Sequence, residues 1–379
     1  MRASKAAVLT LLLAVSAACG RKTQTPPQIE PAAVVEVDAV DQLATFDARV
    51  NALAFWSHPH IPFHGLVLAA TETGLAAFNI EDGKEVSRID GIEAKGLALS
   101  YTGAGPDAQG YAFVKTGGQH VGFSVFAIDN ETRALTALTT PAVETAKDDR
   151  GYCLSRDESG RKLLLHIMHK TGWSTSGFVI ENGAAKEVER HSARVAGSFL
   201  ACAADDVDGS FFVIDAIGDI YRVDKRGIID ATPFARSGVS NPAAISIAYN
   251  GLVAGGPTEQ CCGEIAVLNG EDGSVRLFDI DDGRMLGQAT LKASFDVDGV
   301  AAATTMALGS GNFGGIYRDG VLALATAGKA PALRLTPLNG LMDALSAPIG
   351  PASDARDLGP QAEDDESAPD FAVPDPANP

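Results

Sequence analysis

Three of the seven histidines lie within one short segment, at His58, His60 and His64. In an extended chain His58 and His60 point to the same side, and two imidazoles placed in this way are common ligands of transition metals. The segment also contains Pro59 and Pro62 and has no carboxylate nearby, which favours an irregular exposed loop. The sequence therefore allows either a metal site or a surface loop here.

Acidic residues are concentrated at 205–209, 279–283 and 296–299, with the oxygen spacing that suits calcium. None of the three segments continues to the glutamate of an EF-hand loop. Asp followed by Gly is also typical of hairpin turns, which explain the first two segments equally well. No Gly-rich phosphate loop, serine nucleophile motif or pair of catalytic carboxylates is recognised.

A further group of polar residues, His166, His169 and Lys170, lies at the end of an apolar run. These histidines either line a binding channel or are partly buried structural residues, and the second interpretation is the more common one for such histidines.

The N-terminus has the features of an export signal. Arg2 and Lys5 precede an apolar run at 6–18, which is too short to span a membrane and typical of a signal peptide. Residues 15–19 resemble a bacterial lipobox, so we expect residues 1–18 to be removed and Cys19 to carry a lipid. Residues 19–32 then form a polar tether, and the protein is expected in the bacterial cell envelope, held to a membrane by the lipid.

The C-terminal residues 351–379 contain eight acidic residues and one basic residue, Arg356, together with repeated prolines. Such a segment cannot bury enough apolar surface to order itself, so we predict a solvated, disordered acidic tail. Export also favours disulfides among the four remaining cysteines. Cys153 and Cys202 lie in strand-like runs and Cys261 and Cys262 are adjacent, which permits a vicinal bond or two separate bonds.

The overall charge of −18 disfavours nucleic acid as a partner. Apolar residues make up 46% of the 379 residues, which is ample for a core, and the 40 glycines indicate many tight turns.

Between residues 33 and 350 the sequence repeats one pattern of an apolar run, a turn, a second apolar run and a closing turn. The closing turns, many of them Asp-Gly or Asn-Gly pairs, fall near residues 83, 133, 183, 227, 283 and 340. Six repeats of about 50 residues are typical of a β-propeller, in which four-stranded sheets surround an axis. We therefore predict an all-β fold, a six-bladed β-propeller.

The order of short motifs along this region resembles the β-propeller phytases. The motifs are WSHP at 56–59, TGLAAFNIEDGK at 73–84, GYCL at 151–154, CAADD at 202–206, IYRV at 220–223 and DG at 298–299. The resemblance covers about 310 residues and rests on the shared order of the motifs. It implies a propeller of the phytase type, in which calcium ions in the central channel bridge carboxylates, the phosphates of an inositol phosphate and the attacking water.

The sequence departs from this family where its carboxylates should stand. Apolar stretches replace the acidic motifs at 51–56, 96–99, 200–201 and 242–246. By resemblance, Asp298 and Asp215 are the calcium ligands that remain. The resemblance also implies that Lys115, Arg150 and Lys170 bind substrate phosphate.

Two functional hypotheses follow. In the first, the protein is a phytase-like phosphomonoesterase that hydrolyses inositol phosphates by calcium-assisted attack of water. In the second, it is a catalytically degenerate propeller lipoprotein that binds a phosphorylated small molecule or an envelope partner.

Overall fold

The computed structural model describes residues 33–117, 122–140, 143, 149–157, 159–195, 197–207, 209–250, 262–347, 349–350, 353–354 and 356–357, without the side chains of Asn250 and Cys262. The predicted signal peptide, Cys19 and the tether lie outside the described residues, as does Cys261. No helix within the described ranges is long and apolar enough to cross a lipid bilayer. Ser353 and Arg356 are 3% and 2% exposed, which corrects the prediction of a solvated tail for these residues.

The fold is a six-bladed β-propeller, as predicted. Two N-terminal strands come first, β1 (Val34–Asp38) and β2 (Asp41–Thr45). Blade 1 consists of β3 (Val50–Trp56), β4 (Leu66–Thr71), β5 (Gly74–Asn79) and β6 (Glu85–Asp90). Blade 2 consists of β7 (Ala94–Thr102), β8 (Gln109–Thr116), β9 (Gly122–Ile128) and β10 (Leu135–Ala137). Blade 3 consists of β11 (Tyr152–Arg156), β12 (Lys162–His169), β13 (Gly172–Glu181) and β14 (Ala184–Arg194).

The second half of the ring is built in the same way. Blade 4 consists of β15 (Phe199–Ala204), β16 (Phe211–Asp215), β17 (Asp219–Val223) and β18 (Ala235–Arg236). Blade 5 consists of β19 (Pro242–Asn250), β20 (Cys262–Asn269), β21 (Val275–Asp279) and β22 (Met285–Lys292). Blade 6 consists of β23 (Ala303–Gly309), β24 (Val321–Thr326) and β25 (Ala332–Pro337), followed by the helix α1 (Leu338–Ala344). Short 3-10 turns occur at Pro62–His64, Gly105–Asp107 and Gly315–Tyr317.

The ring is closed by the N-terminal strands. β2 pairs antiparallel with β25, with Asp41 opposite Leu335, and so supplies the outermost strand of blade 6. β1 pairs in parallel with β22 and adds a fifth strand to blade 5. The sequence predicted a final closing turn at Asn339-Gly340, and this prediction is wrong. Both residues lie in α1, because β2 already occupies the edge to which such a turn would lead.

The other closing turns are as predicted. In blade 1 Asp82 Oδ1 accepts hydrogen bonds from Asn79 Nδ2 at 3.0 Å and from the Lys84 backbone N at 3.1 Å. Gly83 then takes a φ of 66°, in the left-handed region that glycine adopts without strain. Local turn chemistry of this kind explains why the repeat was visible in the sequence.

The core lies between the blades. Each of six apolar clusters among the described residues joins two neighbouring blades. All residues of β4 and β5 are buried, because both faces of a blade pack against neighbours. Between blades 2 and 3, for example, Phe113 and Phe178 pack edge to face with ring centroids 5.1 Å apart.

The first strands of the six blades surround the central axis, and each contacts the first strands of the blades on either side. We call the side on which these inner strands begin the upper face, and the side on which they end the lower face. The turns between second and third strands lie at the upper face, and the third-to-fourth turns lie at the lower face.

Candidate functional site

The inner strands enclose a central channel with a cavity of about 280 Å³. Its wall is made mainly of small and aliphatic side chains, including Ala52, Ala54, Leu200, Ala201 and Ala243. These residues occupy the stretches where the sequence lacks the acidic motifs of the phytases. The only carboxylate among the described residues lining the channel is Asp206, at the lower end.

The upper mouth of the channel is polar. Asn51, Lys95 and Arg150 line it. Asn51 Nδ2 donates to the Ala94 carbonyl at 2.8 Å, and Lys95 pairs with Glu93. The exposed Arg150 donates from Nη1 to Ser198 Oγ at 3.2 Å, and no described carboxylate lies within ion-pair distance of it. Its guanidinium is therefore positioned to bind an anion at the mouth.

The backbone fixes the place of Arg150. The residue stands just before β11, and its N–H donates to the carbonyl of Met168 near the end of β12 at 3.0 Å. The side chain of Arg150 therefore extends from a backbone segment that is hydrogen-bonded to β12 of blade 3.

Lys115, predicted to bind substrate, is enclosed at the end of β8 and is 5% exposed. Its Nζ lies 3.5 Å from Asp149 Oδ2 and 5.4 Å from the centroid of the Phe123 ring. Burial lowers the pKa of the Lys115 ammonium, and the Asp149 carboxylate opposes this shift. The ammonium of Lys115 therefore forms a buried ion pair with the carboxylate of Asp149.

Asp149 lies at the centre of a group of polar side chains at the upper face, in the corner between blades 2 and 3. Its side chain is 1% exposed, and Oδ1 accepts a hydrogen bond from His169 Nδ1 at 2.8 Å. His169 Nε2 lies 2.9 Å from Ser174 Oγ. Arg150 follows Asp149 in the chain and the exposed Lys170 follows His169, so the structure brings the three predicted cations to one corner between blades 2 and 3. The carboxylate at its centre was not found from the sequence, because nothing local to Asp149 indicates its burial.

We predict that Lys115→Met lowers the free energy of unfolding by about 3 kcal/mol, because the Asp149 carboxylate then stays enclosed without its ammonium partner. Urea denaturation followed by circular dichroism measures the change. The matched control is Lys170→Met on the exposed turn, which should change stability by less than about 0.5 kcal/mol. Equal effects of the two substitutions would show that Lys115 is not held in a structural pair.

The two predicted calcium ligands lie apart from the channel. Asp215 Oδ1 accepts from the backbone N–H groups of Ile217 at 3.0 Å and Asp219 at 2.9 Å, within its own turn in blade 4. The side chain of Asp298 is 94% exposed in the loop between β22 and β23, where Oδ2 lies 3.6 Å from Arg334 Nη2. Within the described part of the chain, no group of three or more His, Cys, Asp or Glu residues is arranged to hold a metal ion.

The three clustered histidines follow β3 at the lower face. His58 Nδ1 accepts hydrogen bonds from the backbone N–H groups of His60 at 3.1 Å and Ile61 at 3.0 Å. The ring hydrogen of neutral His58 therefore stands on Nε2, which leaves no free lone pair for a metal. Burial, and next the nearby His64, lower the pKa of His58 to about 4, which favours this neutral form.

His166 lies inside the fold, away from the channel lining. Its Nε2 is 2.9 Å from Ser155 Oγ and its Nδ1 is 2.9 Å from Thr175 Oγ1. The ring stacks on Phe211 with centroids 4.2 Å apart. Burial lowers its pKa to about 3, so His166 is a neutral structural residue that joins blades 3 and 4.

The lower end of the channel carries polar residues that the sequence analysis did not assign to a channel. Burial raises the pKa of Asp206 to about 6, and the nearby Arg156 opposes the shift. Tyr249 donates from its hydroxyl to Asp205 Oδ1 at 2.7 Å, and the Asp206 backbone N donates to the same hydroxyl at 3.2 Å. The only sequence signal was the Asp205-Asp206 pair after a strand-like run, which also fits an ordinary turn.

Cys153 and Cys202 form a disulfide with a Cα–Cα distance of 5.6 Å. Cys153 belongs to β11 and Cys202 to β15, so the bond links the inner strands of blades 3 and 4 beside the channel. The sequence had left this pairing open.

Comparison of the sequence with protein-family models and with curated proteins finds no match. Among solved structures, the chain is similar to a structural-genomics protein of unknown function from Bacteroides thetaiotaomicron, with 14% identity over 80% of this chain and 75% of that chain and a TM-score of 0.47. It is also similar to a luciferin-regenerating enzyme, with 14% identity over 78% of this chain and 93% of that chain and a TM-score of 0.47. At this identity and these TM-scores, neither likeness transfers a ligand or an activity to the chain.

Proposed function

We propose that the protein is a catalytically degenerate, phytase-like propeller that binds a small phosphorylated molecule in its central channel. In this proposal it is exported and held to a membrane of the cell envelope by a lipid on Cys19. The observation that carries the binding proposal is the Arg150 guanidinium, which stands without a described carboxylate partner at the mouth of an apolar channel.

The channel has two chemically distinct parts. A guanidinium binds phosphate through two parallel N–H donors, which gives both affinity and orientation. The wall below it, with Ala52, Ala54 and Leu200, offers apolar surface to the body of the ligand. A phosphate monoester with an apolar group therefore fits better than inositol hexakisphosphate, whose phosphates would meet apolar side chains.

Calcium-assisted hydrolysis of inositol phosphates is the rival function. It requires several oxygen ligands around the ion, close to the bound phosphate. The proposed ligand Asp215 is the last residue of β16, and Asp298 lies in the loop between β22 and β23. Neither residue lines the channel. This placement favours binding over hydrolysis.

The first test is calorimetry with hexyl phosphate. Wild type should bind it, and Arg150→Gln should weaken binding by about tenfold, because a charge-assisted bidentate contact is lost. Lys170→Gln is the matched control, since Lys170 lies at the same corner outside the channel lining, and it should change the affinity by less than about twofold.

A phosphate-release assay on inositol hexakisphosphate with and without calcium separates the two functions. We expect no release in either condition. Calcium-dependent release would establish the hydrolase instead, and an unchanged affinity of Arg150→Gln for hexyl phosphate would contradict the proposed site.

A further inference from the structure

A second group of reactive side chains lies outside the channel, in the corner between blades 2 and 3. His169 is the last residue of β12 and Ser174 is the third residue of β13, and neither lines the channel cavity. In the pairing of these strands His169 lies opposite Gly172, which has no side chain, and Ile167 lies opposite Ser174. His169 and Ser174 are therefore diagonal neighbours on one face of blade 3, where their side chains meet.

The side chains of Ser174, His169 and Asp149 form a continuous chain of hydrogen bonds. Ser174 Oγ lies 2.9 Å from His169 Nε2, and His169 Nδ1 lies 2.8 Å from Asp149 Oδ1. An ionised carboxylate only accepts hydrogen bonds, so Nδ1 carries the ring proton of neutral His169 and Nε2 keeps its lone pair. The Ser174 hydroxyl then donates to Nε2, which is the arrangement in which a histidine takes the proton of an attacking serine.

The three groups differ in exposure as this chemistry requires. The side chain of Asp149 is 1% exposed, that of His169 is 26% exposed, and Ser174 is half-buried. The ammonium of Lys115, 3.5 Å from Asp149 Oδ2, compensates the charge of the enclosed carboxylate. An enclosed carboxylate holds the imidazole in one tautomer and orientation, while the serine stays accessible to a small substrate.

Positive charge flanks this group of side chains. Arg150 follows Asp149 in the chain and Lys170 follows His169, and both are exposed. Among the described residues, no carboxylate lies within ion-pair distance of either cation. Attack on a carbonyl carbon places a negative charge on the carbonyl oxygen, and positive charge at the corner stabilises it.

We propose that this corner is a second, catalytic site that hydrolyses small carboxylic esters. Ser174 is the nucleophile and His169 is the general base, whereas Asp149 is a positioning residue that acts through His169. The acyl group is short, because Ser174 is half-buried. The site is separate from the phosphate-binding channel, and it does not depend on the function proposed for that channel.

The reaction proceeds through an acyl group on Ser174. Oγ attacks the carbonyl carbon of the ester while His169 Nε2 takes the hydroxyl proton. The bond to the alkoxy oxygen then breaks, His169 gives the proton to that oxygen, and the alcohol leaves. Water next attacks the acyl carbon and gives a proton to His169. The bond to Oγ breaks, Oγ takes that proton, and the carboxylic acid is released.

The first test is labelling of the full chain with a serine-directed fluorophosphonate, followed by mass spectrometry of its peptides. Ser174 should be labelled, because His169 takes up its proton. Ser192 provides an internal control, since it is exposed and lies opposite Ser174 in β14. No described histidine forms a hydrogen bond with its hydroxyl, so it should stay unlabelled. Absence of label on Ser174 in the folded protein, or equal labelling of both serines, would overturn the proposal.

The second test is the hydrolysis of p-nitrophenyl acetate. Ser174→Ala and His169→Gln should each lower kcat/KM by at least about 100-fold, and the double variant should lose no more than either alone, because the two residues act as a unit. His191→Gln is the matched control, since an exposed histidine can itself attack this ester. It should keep kcat/KM within about twofold of the wild type. A wild-type kcat/KM in Ser174→Ala would contradict the proposal.

Asp149→Asn tests the positioning residue. We expect kcat to fall by about 100-fold at an unchanged KM, because an asparagine amide that donates to Nδ1 favours the tautomer in which Nε2 has no lone pair for the serine. If this variant does not fold, the labelling of Ser174 and the rate of Ser174→Ala still decide the proposal. An unchanged kcat in a folded Asp149→Asn protein would overturn the three-residue site.

Discussion

Replacing both Cys153 and Cys202 by alanine is expected to lower the free energy of unfolding by about 4 kcal/mol, because the disulfide closes a long loop in the unfolded chain. The two cysteines are 49 residues apart in sequence. The bond also joins β11 to β15, so its loss lets the inner strands of blades 3 and 4 separate independently. Urea denaturation of the oxidised protein and of the double variant measures the difference.

Reduction provides the control for this experiment. A reductant should shift the unfolding midpoint of the wild type towards that of the double variant. The same reductant should leave the double variant unchanged if other thiols do not contribute. Unfolding of both proteins at the same urea concentration would show that the disulfide does not contribute to stability.

Acidification should destabilise the protein through His166. Its pKa is lowered by burial from 6.5 to about 3, so the folded state keeps the ring neutral while the unfolded chain takes up a proton. The contribution of neutral His166 to the free energy of unfolding is therefore complete above pH 6.5 and is lost as the pH falls towards 3. The loss amounts to about 4 kcal/mol over this range, and denaturation at a series of pH values measures it.

His166→Gln tests the assignment, because glutamine retains hydrogen-bonding groups for Ser155 and Thr175 but does not titrate. The variant should show a shallower loss of stability below pH 6.5 than the wild type. His191→Gln is the control, since the side chain of His191 is 77% exposed, and it should keep the wild-type slope. Identical slopes for the His166 variant and the wild type would refute the role of His166.

His58 and Asp206 also contribute to the dependence of stability on pH. His58, with its pKa lowered to about 4, acts in the same direction as His166. Asp206 acts in the opposite direction, because its pKa is raised from 3.8 to about 6 and its ionisation in this range favours the unfolded chain. The comparison of each variant with the wild type, rather than the wild-type curve alone, isolates His166.

The sequence by itself determined the six-bladed architecture. Apolar runs of strand length and turn pairs such as Asp82-Gly83 are local features, and their spacing of about 50 residues predicted the blades. The same local reasoning failed at Asn339-Gly340. These residues have turn chemistry, but they lie in α1 because β2, from the other end of the chain, completes blade 6.

The candidate site was predictable only in part. The sequence singled out Lys115, Arg150 and Lys170 by resemblance, and the structure brings them to one corner of the upper face. The sequence did not show that Asp149 lies at the centre of that corner. It therefore did not distinguish Lys115, whose ammonium forms a buried ion pair, from Arg150, which lines the channel.

Tertiary structure alone decided which residues became partners between different segments of the chain. The Cys153–Cys202 bond, the pair of Lys115 and Asp149 and the contact of Arg356 with Tyr101 all join segments that are distant in sequence. A local pattern specifies strands and turns because these depend on neighbouring residues. Burial and pairing between blades depend on how six blades close into a ring, so they arise only when the whole chain has folded.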